Sequence, residues 1–126
     1  MILIDSDVLI WDTRGHPEAK ARLVQINPWR ISTITYMELA QGCRDNAELQ
    51  RLKRGLALQQ TEIIPITAEI SRRAMALIDT HALPAGLRLA DALIAATAIE
   101  HQLSLLTGNI KHFTSIAGLT IEAFAA

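Results

Sequence analysis

The sequence predicts an α/β fold, a mainly parallel β-sheet covered on both faces by helices. Three observations predict it. Ile2-Leu3-Ile4 and Ser104-Leu105-Leu106-Thr107 are short apolar runs that end abruptly in polar residues, as buried strands do. Stretches with apolar residues at helical spacing lie between such runs, so strands and helices alternate along the chain. Half of the residues are hydrophobic but only 4% are aromatic, which suits Ala-, Leu- and Ile-rich helices packed closely on a sheet. The 126 residues fit one compact domain spanning positions 1–126.

Each element has its own signal. After the strand Ile2–Ile4, the polar Asp5-Ser6-Asp7 leads into a helix that begins near Val8–Trp11 and is broken at Gly15 and Pro17. A second helix runs from about Glu18 to Ile26 and stops before Asn27-Pro28. Arg30–Thr33 reads as a short strand, followed by a helix through Met37, Glu38 and Leu39 that ends at Gly42. In Asp45–Leu58 the leucines at 49, 52 and 56 mark one face of an amphipathic helix. Glu62–Ile66 is β-like, and Thr67 caps a helix to about His81 with Ile70, Ala74, Leu77 and Ile78 turned inward. Pro84-Ala85-Gly86 breaks the chain before a helix over Leu89–His101; Ser104–Thr107 and Leu119–Glu122 are the last strands. No repeat, linker or low-complexity stretch interrupts this order.

Composition excludes several classes of function. No apolar run approaches the roughly 18 residues of a membrane span. The start MILIDSD lacks a basic region, so no signal peptide is expected and a cytoplasmic location follows. A lone Cys43 rules out a disulfide framework within the chain and a cysteine-based zinc site. His81, His101 and His112 lack metal-ligand spacing, and no Ser/His/Asp set stands out. The formal charge is −1, from 12 basic and 13 acidic residues. If Asp5, Asp7, Glu38 and Asp91 gather on a cation, the remainder carries +3, which permits contact with phosphates without demanding it. Arg44, Arg51, Lys53 and Arg54 are interleaved with Asp45 and Glu48 and read first as a solvated helix face, second as a phosphate-binding edge.

The acids carry the functional argument. Asp91 sits in LADALIAATAI, where nine of eleven positions are apolar, so the helix is buried and the carboxylate with it. Burying an unpaired carboxylate costs several kcal/mol or more unless a cation or good hydrogen bonds compensate; a helix-start role or a pairing with Arg88 is the structural alternative. Asp5 and Asp7 flank Ser6 at a strand exit. Capping needs only one of them, and a second carboxylate suits a hard cation that takes oxygen ligands. Glu38 fits a capping box begun by Thr35, yet it shares a helix face with Ile34 and Met37 that would turn it toward the core. Asn109, after Gly108, is either a turn residue or an amide for a metal-bound water or a phosphate. Ser6 and Thr107 are weaker candidates at neighbouring strand ends. In open parallel sheets, sites form beyond the carboxyl ends of strands, where Asp5 and Asn109 both lie.

With MILIDSDVLI, ISTITYMELAQG and LADALIAATAIEHQLSLLTGNIKHF in this order and spacing, nearly the whole chain resembles the PIN-domain nucleases, and within them the VapC-like toxins of bacterial toxin–antitoxin pairs. The resemblance implies a three-layer α/β/α sandwich around a sheet of about five strands. It assigns the family's first acid to Asp5, its central Glu to Glu38 and its third acid to Asp91, with Asp7 two residues after the first. The fourth acidic position falls on Asn109, a departure that makes one tightly held metal the expectation; His112 sits where some relatives carry an acid. It further implies Mg²⁺ or Mn²⁺, an RNA substrate, a cognate antitoxin and a homodimer, with the helix Thr67–Leu83 as a candidate interface. Two rivals stand beside this reading: an inactive PIN-like binding module with Asn109 as the mark of decay, and a phosphatase or phosphoacceptor domain built on Asp5-Ser6-Asp7 with Lys111.

Overall fold

The computed structural model describes residues 1–125. Five short strands and six helices alternate: β1 Ile2–Ile4, α1 Ser6–Thr13, α2 Pro17–Val24, β2 Arg30–Ser32, α3 Thr33–Gln41 and α4 Asn46–Leu58, then β3 Glu62–Ile64, α5 Ala68–Ala85, α6 Leu89–Glu100, β4 Ser104–Thr107 and β5 Ile121–Ala123. All ladders are parallel. One sheet has the order β1-β4-β5 and the other pairs β2 with β3. β2 lies against β1 without a ladder between them.

Side chains on a strand alternate between the two faces of its sheet. Leu3 and Leu105 join one buried cluster, with Ile70, Ala74, Ile94 and Phe113 from the α5–α6 side. Their neighbours Ile4 and Leu106 join the other, with Val8, Leu23, Trp29 and Leu56 from the side of α1, α2 and α4. All four strand residues are fully buried, each contributing about 1.5–3 kcal/mol. This two-sided burial is why β1 and β4 read as continuous apolar runs, and it makes the molecule three layers thick.

Several boundaries differ from expectation. α5 runs past His81 and through Pro84 to Ala85. A proline in a last turn removes a single helical hydrogen bond, so the helix ends only at Gly86. There φ is +70°, and the Leu87 N–H returns to the His81 carbonyl. α3 starts directly after β2, with Ser32 as its cap accepting the Ile34 N–H at 3.2 Å. The capping box expected from Thr35 is therefore absent. Thr35 is the third residue of the helix and is fully buried. β5 is shifted to Ile121–Ala123, because pairing Leu105 with Ile121 and Thr107 with Ala123 sets its register. α1 starts earlier than expected, at Ser6, and α2 ends earlier, at Val24. Among the described residues no helix is long and apolar enough to cross a membrane.

Candidate active site

β1 and β4 are neighbours in register, Ile4 opposite Leu106, so their carboxyl ends deliver Asp5 and Thr107 to the same place. Asp5 caps α1 and is only 5% exposed. Its Oδ1 accepts the Ser6 N–H at 2.7 Å, and its Oδ2 accepts the Thr107 hydroxyl at 2.8 Å. Burial first, then the neighbouring Asp7 charge, push its carboxyl up to about 7 despite those two hydrogen bonds; Asp91 adds to the rise.

Asp7 lies in the first turn of α1. Its Oδ2 accepts the Gly108 N–H at 2.9 Å, while Oδ1 is buried without a hydrogen-bond partner. Burial raises its pKa, the Gly108 N–H opposes the rise, and Asp91 adds to it. The close approach needs a glycine: a Cβ at position 108 would stand 3.0 Å from Asp7 Oδ2 and 3.1 Å from the Phe124 carbonyl oxygen.

Glu38 and Asp91 both stand nearer the surface than expected. Glu38 is exposed and does not face the core, as Met37 beside it is 46% exposed. Its Oε1 instead accepts the Ser6 hydroxyl at 3.1 Å, and that hydroxyl lies 3.4 Å from Asp5 Oδ1. Ser6 therefore links the first strand exit to α3. Asp91 is half-buried rather than interior, because it stands in the first turn of α6, where its Oδ2 accepts the Arg88 N–H at 3.3 Å. The helix-start role that the sequence allowed is thus filled. The same oxygen lies 3.3 Å from His112 Nδ1.

Asn109 directs its N–H to Thr107 Oγ1 at 3.0 Å, and its side-chain amide lies 3.0 Å from His112 Nδ1. Thr107, a secondary candidate by sequence, thus holds Asp5 on one side and the Asn109 turn on the other. The Gly108 N–H and the contacts of His112 were not foreseen. Their one sequence signal is the three-residue spacing of Asn109 and His112 across a single turn, Ile110–His112.

Among the described residues no lysine or arginine pairs with Asp5, Asp7, Glu38 or Asp91; the seven ion pairs engage other acids, save the His112–Asp91 contact. Among the described residues no three His, Cys, Asp or Glu side chains stand close enough together to hold a metal ion between them, so Asp5, Glu38 and Asp91 do not converge on one point as the resemblance implied. Three of the carboxylates repel one another across the strand ends, and the fourth, Glu38, is reached through Ser6. Asp5 is buried, and Asp7 has a buried oxygen with no hydrogen-bond partner among the described residues; such carboxylate oxygens suit a hard divalent cation. Beyond Glu38 runs a groove of about 920 Å³, with Leu9, Leu39, Leu52 and Trp29 along it and Arg44 and Arg51 on its wall. Arg44 is paired with Glu48. Cys43 lines the same groove, its thiol donating to the Leu39 carbonyl.

Residues 2–119 match the PIN domain family. Over 117 residues the chain is 39% identical to ribonuclease VapC10 of Mycobacterium tuberculosis strain H37Rv, a match covering 90% of this chain and 86% of that protein. It resembles a chain of a toxin–antitoxin complex from Klebsiella pneumoniae with a TM-score of 0.81 and 36% identity, covering 95% and 96% of the two chains. FitAcB from Neisseria gonorrhoeae is similar at a TM-score of 0.77 and 26% identity, with 96% of each chain covered.

Proposed function

The chain belongs to the PIN-domain family, among the VapC ribonucleases, and from that premise we propose that it cleaves RNA as the toxin of a toxin–antitoxin pair. Family membership carries the ribonuclease reading. The geometry supports its finer part, an endonucleolytic hydrolysis that depends on Mg²⁺ or Mn²⁺ held by Asp5, Asp7, Glu38 and Asp91. The observation behind it is the buried Asp5 carboxyl, raised to about 7, beside an Asp7 oxygen that has no hydrogen-bond partner among the described residues.

A bound divalent cation supplies a Lewis acid that activates water and neutralises charge building on the phosphate. The protein's own groups set the stage. Thr107 and the Ser6 N–H fix both oxygens of Asp5, and the Gly108 N–H fixes one oxygen of Asp7. Ser6 ties Glu38 to Asp5. Asp91 is anchored at a helix start by the Arg88 N–H.

The test is cleavage of a mixed RNA substrate by purified protein. Activity should vanish with EDTA, return with Mn²⁺ or Mg²⁺, and fall at least about 100-fold in Asp5→Asn and in Asp91→Asn, the scale of removing a group that stabilises transition-state charge. Full activity in either variant refutes the site.

The same premise brings two partners. An antitoxin segment would occupy the groove that leads to Glu38, where an apolar floor and two arginines offer anchorage. A homodimer would use the exposed apolar side chains of α5, Met75 and Leu83. Gel filtration of the protein alone, of Leu83→Glu, and with the product of the adjacent gene tests both.

A further inference from the structure

We propose that His112 is a positioning residue: its Nδ1–H, braced by Asn109, holds one oxygen of Asp91 so that the other faces the cation. The inference rests on the cation site proposed above. His112 ends the short turn Ile110–His112. That turn is tied to the floor of the site, because the Asn109 N–H donates to Thr107 Oγ1, the hydroxyl that also donates to Asp5.

The single nitrogen Nδ1 meets two partners, Asp91 Oδ2 at 3.3 Å and the Asn109 amide group at 3.0 Å. In a neutral imidazole one nitrogen cannot both donate and accept. A carboxylate only accepts, so an Nδ1 lone pair pointed at it would set negative against negative in a half-buried place. The asparagine has an inexpensive alternative. Turned end for end, its amide presents Oδ1 in place of Nδ2 with no other atom displaced. The arrangement that satisfies all three groups is therefore Nδ1–H shared between Asp91 Oδ2 and Asn109 Oδ1. Asp91 Oδ2 then carries both the Arg88 N–H and His112, which leaves Oδ1 for another partner. Hydrogen bonds of this kind to a ligating carboxylate are worth about 10- to 100-fold in metal affinity.

This assigns Asn109 and His112 a joint role in place of the missing fourth acid, and it makes a positional prediction. The amide nitrogen of an asparagine overlays imidazole Nδ1, whereas that of a glutamine overlays Nε2. Mn²⁺ affinity, measured by titration calorimetry on the full chain, should drop about tenfold in His112→Ala and His112→Gln. It should stay within about threefold of the unmodified protein in His112→Asn, all variants having first been checked for unchanged thermal unfolding. In the metal-free protein, ¹⁵N NMR of labelled histidine at a pH where imidazole is neutral should report the Nδ1–H tautomer for His112, a readout that needs no variant to fold. Equal Mn²⁺ affinity in His112→Ala, rescue by Gln as well as by Asn, or an Nε2–H tautomer would each overturn the assignment. Absence of Mn²⁺ binding by the unmodified protein is a separate result that removes the cation site itself, and this role with it.

Discussion

Asp5 is where burial and charge oppose each other most directly. Its carboxyl is raised from 3.8 to about 7, so between roughly pH 4 and pH 7 the folded chain holds a proton that the unfolded chain has released. Stability of the metal-free protein is therefore highest at the acid end of that window and declines as pH rises through it, by an upper bound on the order of 4 kcal/mol. Asp5→Asn should remove this slope and unfold at a higher temperature than the unmodified protein at pH 8 in EDTA, while losing the stabilisation that Mn²⁺ brings. Identical pH profiles for the two proteins would contradict the assignment. Gly108→Ala pushes a methyl group against Asp7 Oδ2 and the Phe124 carbonyl and should cost about 1–3 kcal/mol in urea unfolding; an unchanged midpoint would mean the loop gives way freely. At this scale the acids were legible because carboxylates beside apolar runs need compensation. Which way each one points was not. Glu38 turns outward to Ser6, a neighbour from another segment, while Asp91 takes the local helix-start partner that the sequence left as its alternative, the Arg88 N–H.

Elements were read with most success where local chemistry and packing agree. Thr67 caps α5 by accepting the Ile70 N–H, as its side chain suggested, and Asp45, read as the first residue of its helix, caps α4 by accepting the Glu48 N–H. Pro84 misled, because a proline near a helix end is tolerated and the left-handed Gly86 sets the true stop. Ser32 both ends β2 and caps α3, and the strand pattern Arg30–Thr33 hides the second role. It is fully buried, so Ser32→Ala leaves the Ile34 N–H without its partner at the start of the helix that carries Glu38. A loss of about 1–2 kcal/mol is expected, together with reduced cleavage; chemical denaturation measures the first, and a change under 0.3 kcal/mol would show the cap to be dispensable.

At the scale of the molecule, contacts between distant positions make the site. Asp5 meets Thr107 and Asp7 meets Gly108 across separations of 102 and 101 residues, so the site exists only once β4 has paired with β1. The same closure is reinforced on the far side by Arg22 of α2, whose guanidinium grips Glu122 of β5 through two hydrogen bonds of 2.6 and 2.8 Å. This hydrogen-bonded pairing holds the Glu122 carboxyl below its usual value. Its contribution is thus present above the ordinary carboxylate range and is lost as pH falls through the lowered one. A double-mutant cycle with Arg22→Ala and Glu122→Ala should give a coupling of about 0.5–1 kcal/mol at neutral pH that shrinks in 1 M salt.

Periodicity and breakers determined the alternation of strands and helices, because a buried parallel strand must be apolar on both faces and an amphipathic helix on one. The position of Asp5 and Asp7 just past the first strand was likewise written in the chain. Register, the direction of each carboxylate, the reach of Ser6, Thr107 and the Gly108 N–H, and the bond between His112 and Asp91 were decided by the tertiary structure alone. Each of these is a relation between groups that only folding brings within hydrogen-bond range.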